Sequence, residues 1–278
     1  MEELLLLICG TSFYSSSFFI TKQTLFGLFK KRLTEADIVT ISEKVVNGIH
    51  GIVSVYIGAT ISSQCYDDIL YSSSWLTNAF TWFALPYFIY DLVVMYLGHL
   101  LTFPDVQDMT FLDRIQHFVL HNKLITVHHL VLPVIFFPVI VFLRRGMGDF
   151  FVGVFFQIEI SLPFIAARSI MVQLQMKHTV LYVVVGIVMI ITFFVSRILV
   201  FPYLYWRYAV YKNISTWRVP FFIPLKCSTG CALILCLQLY WMSKMIKGAM
   251  KLLYKLRSGK RPSTEQTNCD RFATEKMS

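Results

Sequence analysis

Two consecutive histidines, His128 and His129, stand in the otherwise apolar run KLITVHHLVLPVIFF. Imidazole takes and gives protons, or accepts an acyl group, near neutral pH, and a carboxylate such as Asp91 can fix its tautomer and stabilise the imidazolium. Side chains on successive helical residues diverge by about 100°, so the doublet cannot share one helix face or chelate one metal as an i, i+4 pair does. No metal site is expected. A membrane di-iron centre needs several histidine boxes, whereas His121, His128 and His129 make a single cluster in the chain. The plain alternative for the doublet is one histidine bonding a backbone carbonyl while the other packs.

Other polar residues recur at helical spacing inside apolar sequence. Glu43, Asn47, His50 and Ser54 advance by four, three and four and fall on one helix face, and Tyr87, Asp91 and His99 are expected to share another. Glu159 and Arg168, nine residues apart, point in roughly opposite directions and are not expected to pair. Lys44, Arg197 and Lys226 add cations. Each ionisable group in hydrocarbon costs on the order of 2.5–3.5 kcal/mol, so each needs a partner or a watered cavity. Buried ion pairs joining helices and a polar cavity are both open readings.

These residues must be positioned by helices in lipid. The 278 residues are 56% hydrophobic and 15% charged, too apolar for a fold in water. Apolar segments long enough to cross a bilayer lie near 4–21, 38–62, 79–103, 122–143, 149–172, 179–206 and 219–243. The expected fold is all-α: a polytopic membrane protein of about seven transmembrane helices joined by short connections. The division is a leading helix and basic loop over 1–34, a six-helix membrane domain over 35–245, and a basic juxtamembrane stretch with a disordered tail over 246–278.

The acidic start at Glu2 and Glu3, with no small-residue cleavage pattern after it, reads as a retained signal-anchor helix. Lys22, Lys30, Lys31 and Arg32 after the first span, and the basic run from Lys244 after the seventh, place both stretches in the cytosol, with a lumenal N-terminus and a cytosolic C-terminus. The acidic loop at Asp67 and Asp68 suits the lumen; Arg144, Arg145, Arg207, Lys212 and Arg218 dissent. The excess of positive charge sits at these membrane flanks, which argues against nucleic acid as a partner. Six scattered cysteines suggest neither a disulfide framework nor zinc.

The run FALPYFIYD ending at Asp91, the His128-His129 doublet, GDFFVG from Gly148, EISLPF from Glu159 and SRILVFPYLYW from Ser196 occur in this order. Together they resemble the TRAM-LAG1-CLN8 (TLC) domain family, in particular its ceramide-synthase-like branch of the TLC domain-containing protein 3 type. The resemblance covers about 35–245 and implies six helices ringed around a central, membrane-accessible cavity, with the leading helix outside, in the endoplasmic reticulum membrane and also compatible with the Golgi. It implies sphingolipid metabolism: N-acyl transfer from acyl-CoA, a co-substrate rather than a bound cofactor, to a sphingoid base. On this basis His128, His129, Asp91 and Glu159 are the catalytic candidates, and Arg197, Tyr87, His50 and Asn47 the substrate-binding ones. The partners are membrane lipids, and a homo- or hetero-dimer within the membrane is compatible with them.

The sequence departs from true ceramide synthases, which follow the doublet with HDxxD; here the stretch is Gln157, Ile158, Glu159, Ile160 and Ser161, lacking the His and both Asp. Two alternatives therefore stand beside acyl transfer. One is a non-catalytic lipid-binding regulator of membrane composition, and the other a seven-helix receptor or transporter.

Overall fold

The structure is a computed structural model that describes residues 1–257, with side chains through residue 254. The described residues are helical apart from short connections, and seven helices are long and apolar enough to cross a membrane. They are span 1 (Glu2–Phe29), span 2 (Glu35–Gln64), span 3 (Trp75–Thr102), span 4 (Lys123–Leu143), span 5 (Asp149–Gln173), span 6 (Val180–Lys212) and span 7 (Leu225–Tyr254). The last helix runs on to Arg257. Local chemistry sets the ends. Thr34 and Asp37 form a capping box at the start of span 2, Gly148 begins span 5 in the left-handed region at φ 76°, and Asn213 ends span 6 there at φ 52°.

The bundle has the inside-out pattern of a protein in lipid. Apolar side chains such as Phe19, Ile52, Val93, Phe142 and Ile191 are exposed, while Glu43, Lys44, Asn47, His50, Asp91 and His129 are buried. Spans 4, 3, 2, 5, 6 and 7 pack in succession around a shared cavity, and the circle closes between spans 4 and 7 through His128 and Trp241. Span 1 packs outside it against spans 2 and 3, inserting the fully buried Tyr14. The tightest seam joins spans 2 and 5. A Cβ on Gly58 would lie 2.5 Å from the Gly153 carbonyl oxygen, and one on Gly153 would lie 2.9 Å from that of Gly58, so only a hydrogen at both positions permits this approach. Spans 4 and 7 make the sparsest contact of any neighbours in the ring.

The expectation of short connections fails between spans 3 and 4. That segment folds into a 3-10 turn, Pro104–Asp108, and an eleven-residue amphipathic helix, Phe111–His121. Thr110 accepts from the Asp113 amide at its start, and Phe118 is buried while Phe111, Leu112 and Ile115 are exposed. The helix is too short to cross a bilayer. The expected disordered tail from Ser258, with Lys260, Arg261 and Cys269, lies outside the described residues, as do the side chains of Lys255 and Arg257.

Candidate functional site

A cavity of about 200 Å³ opens inside the ring, and all eight residues singled out from the sequence line it: Asn47, His50, Tyr87, Asp91, His128, His129, Glu159 and Arg197. Irregular helix carries several of them. His128 and His129 lie in the last turn of regular helix before a π-helical turn, Leu132–Phe136, that contains Pro133; Glu159 lies in a 3-10 turn, Ile158–Ser161; Arg197 lies in a π-helical turn, Phe194–Ile198. Proline removes a backbone donor, and a π-bulge shifts the face that following residues present. A regular 3.6-residue period therefore does not predict which residues meet here.

The two histidines divide the labour between them. His129 Nε2 is 2.8 Å from Asp91 Oδ2, and its Nδ1 is 3.0 Å from the Ile125 carbonyl oxygen. A carbonyl only accepts, so Nδ1 carries a proton; the second proton is shared between Nε2 and the carboxylate. On whichever side of that bond it sits, His129 has no lone pair left for a substrate. His128 makes no hydrogen bond among the described residues and faces the cavity, its ring packed edge-on to Trp241 with centroids 5.2 Å apart. The rings of the doublet are perpendicular, at 89°, with centroids 5.6 Å apart. The roughly 100° divergence thus sends one ring to Asp91 on span 3 and the other toward span 7, while both border one cavity.

The remaining candidates form two further polar groups. Glu43 accepts from Lys44 at 2.8 Å and from Asn47 at 3.1 Å, and Lys44 and Asn47 also lie beside the Asp91 carboxylate. His50 stacks on Tyr87 with centroids 3.8 Å apart, its Nδ1 2.9 Å from the Tyr14 hydroxyl and its Nε2 3.3 Å from Ser54 Oγ. On the opposite wall Arg197 donates to Glu159 at 2.7 Å and to Ser161 at 2.8 Å. Glu159 is therefore joined to an arginine rather than to a histidine, and Arg197 already has its counter-ion. Arg168 points elsewhere, over the Tyr182 ring at 5.0 Å, as its separation from Glu159 predicts.

His99 does not join the cavity. Eight residues past Asp91 it has drifted about 80° around the helix, and its Nε2 meets His117 Nδ1 at 2.9 Å, with His121 and Phe103 alongside. His121 consequently sits with His99 and His117 rather than with the doublet. Among the described residues, no group of three or more His, Cys, Asp or Glu side chains is arranged to hold a metal ion. Two residues at the site had no sequence signal. Tyr14 lies in an apolar leading helix without polar periodicity, and Trp241 is one aromatic among many.

An all-helical bundle in lipid, with histidines and carboxylates set into a largely apolar cavity between its spans, defines a polytopic membrane protein that keeps ionisable groups at membrane depth. The TRAM_LAG1_CLN8 family, the TLC domain, matches residues 40–247. The chain belongs to this family of lipid-related membrane proteins. No solved structure matches it.

Proposed function

We propose that this chain is a ceramide-synthase-like member of the TLC family, of the TLC domain-containing protein 3 type, that transfers a fatty acyl group from acyl-CoA to the amine of a sphingoid base. The observation that carries the reading is the free imidazole of His128 facing the cavity beside the Asp91–His129 pair. His128 is the group able to accept the amine proton as nitrogen attacks the thioester carbonyl; the C–N bond forms, the C–S bond breaks, and the coenzyme A thiolate takes up the proton. In a two-step variant, His128 nitrogen attacks the thioester carbonyl and the C–S bond breaks, the leaving thiolate taking the imidazole proton; the amine then displaces the imidazole, which takes the amine proton. Asp91 and His129 are the positioning pair: their bond fixes the helix that carries His128 against span 3 and places a charge-paired group at the cavity wall.

The endoplasmic reticulum membrane is the location that the family resemblance implies, and a lumenal N-terminus with a cytosolic C-terminus accords with the basic flanks. Two of the dissenting arginines are folded into local contacts. Arg144 binds Asp149 and, at 2.7 Å, Asn78; Arg207 donates to the Tyr66 carbonyl at 2.6 Å. In this orientation His128 lies five residues from the cytosolic end of span 4, a depth of roughly 7.5 Å. A cytosolic acyl-CoA reaches that level without crossing the bilayer.

One observation favours a non-catalytic lipid-binding regulator instead. The stretch that would carry HDxxD offers a single carboxylate, Glu159, and Arg197 engages it. The discriminating measurement is N-acyl product formation by purified protein in lipid nanodiscs, with labelled acyl-CoA and sphinganine, for wild type and His128→Ala. Product from wild type and none from the variant supports transfer. No turnover by either across a range of acyl chains sinks it and leaves lipid binding.

A further inference from the structure

The cations around the cavity are matched to carboxylates with one exception. Lys44 pairs with Glu43 at 2.8 Å, His129 with Asp91 at 2.8 Å and Arg197 with Glu159 at 2.7 Å. Arg168 borders the same cavity and has no carboxylate within ion-pairing distance among the described residues; its guanidinium lies over the face of Tyr182. The three pairs cancel, which leaves the cavity with one uncompensated positive charge. A guanidinium is always charged, and its planar fork fits a phosphate or carboxylate better than it fits water alone. An arginine near a helix end can simply snorkel to the headgroups. Here, however, the side chain is half-buried and borders the cavity, and the ring beneath it is 5% exposed.

Depth and surroundings specify what would match it. Arg168 lies five residues before the end of span 5, as His128 lies five after the start of span 4, so both sit roughly 7.5 Å in from the same end of the bundle. Beyond Arg168 the wall of the cavity is apolar, built from Ile165, Ile187 and Ile190. A single charge at headgroup depth followed by an aliphatic wall describes a site for one chain with one anionic head.

We propose that Arg168 anchors the anionic oxygen head, of the phosphate type, of a single-chain membrane amphiphile whose tail lies along the Ile165–Ile187–Ile190 wall. The site does not depend on acyl transfer. Binding can be present in a protein that forms no N-acyl product, so the two readings fail separately.

The test is equilibrium binding of labelled dodecyl phosphate, dodecanol and inorganic phosphate to the full chain in phosphatidylcholine nanodiscs, against protein-free discs. Wild type is expected to favour dodecyl phosphate over dodecanol by about ten-fold or more, the scale of one charge-assisted contact of roughly 1.5–3 kcal/mol. R168Q should remove that preference, R168K should keep most of it, and R114Q, on the exposed connecting helix, should leave it unchanged. Equal binding of dodecyl phosphate and dodecanol by wild type, or undiminished preference in R168Q, overturns the proposal. Inorganic phosphate binding as tightly as dodecyl phosphate also overturns it, by assigning the arginine to a soluble phosphate ester. If R168Q does not fold, the wild-type preference together with R168K decides.

Discussion

The pairing of Asp91 with His129 makes the sharpest energetic prediction. Asp91 is 2% exposed and His129 7%, so removing either partner strands a buried polar group. Breaking a buried pair from one side costs about 3–5 kcal/mol, and Asp91→Ala and His129→Ala should each lose an amount in that range. With both gone, neither member of the pair is stranded, and Lys44 and Asn47 keep Glu43 as a partner, so the double variant should cost about as much as one single. The singles sum to about 6–10 kcal/mol, so the cycle should show a coupling of about 3 kcal/mol or more. Asp91→Asn is the informative neutral case. A neutral His129, with its proton on Nδ1 toward Ile125, can accept from the amide nitrogen of Asn, which exchanges a charge-assisted hydrogen bond for an ordinary one at a cost of about 1 kcal/mol. The assay is reversible denaturant unfolding in mixed micelles. Additivity of the two alanine variants within about 0.5 kcal/mol, or Asp91→Asn as costly as Asp91→Ala, would show that the two residues do not share a proton in the folded protein.

His128→Ala should unfold within about 1 kcal/mol of wild type while His129→Ala does not, because only His129 is tied by two hydrogen bonds; equal destabilisation in the same unfolding assay would contradict the division of roles. Gly58→Ala should lose about 1–3 kcal/mol, since its Cβ would lie 2.5 Å from the Gly153 carbonyl and spans 2 and 5 must part to admit it; unchanged stability would mean that the seam is looser than described. Outside the spans, backbone hydrogen bonds from Tyr71 and Leu70 and the Tyr211 hydroxyl hold the Asp68 carboxyl below its usual range. The folded pKa is depressed, so the loop contact contributes above the unfolded value of about 4 and is lost as pH falls through the lower folded value. Hydrogen exchange of residues 66–72 should stay slow at pH 5 and quicken only in stronger acid, and Asp68→Asn should abolish that dependence.

Much of the architecture was legible because lipid imposes a simple rule on composition. Uninterrupted apolar length marked all seven spans, and polar residues within them had to point inward. Spacing also put Glu43, Asn47 and His50 on one face correctly, because span 2 is a regular helix from end to end. It misled where the angular argument was stretched or the helix was irregular. His99 is two turns from Asp91, far enough for the 3.6-residue period to carry it into contact with His117. The partners of Glu159 and Arg197 depend on a 3-10 turn and a π-helical turn, whose local change of winding no fixed period anticipates. The connecting helix Phe111–His121 had a readable signature, Thr110 three residues before Asp113 and apolar residues at Phe111, Ile115 and Phe118, but hydropathy windows sized for a bilayer pass over eleven residues. The role of Tyr14 was beyond sequence altogether, since it arises from how a separate helix docks.

The sparse seam between spans 4 and 7 has a bearing on how fast the cavity can fill. An aliphatic chain of sixteen carbons that left the bilayer for water before reaching His128 would climb a barrier of about 13 kcal/mol, at roughly 0.8 kcal/mol per methylene. If it passed sideways between spans 4 and 7, where Trp241 meets His128, the same chain would exchange lipid neighbours for Leu132 and Met245 and never become wet. Under the proposed function, exchange with the bilayer would be limited by how far Trp241 and two loosely apposed helices must move, not by the solubility of the lipid.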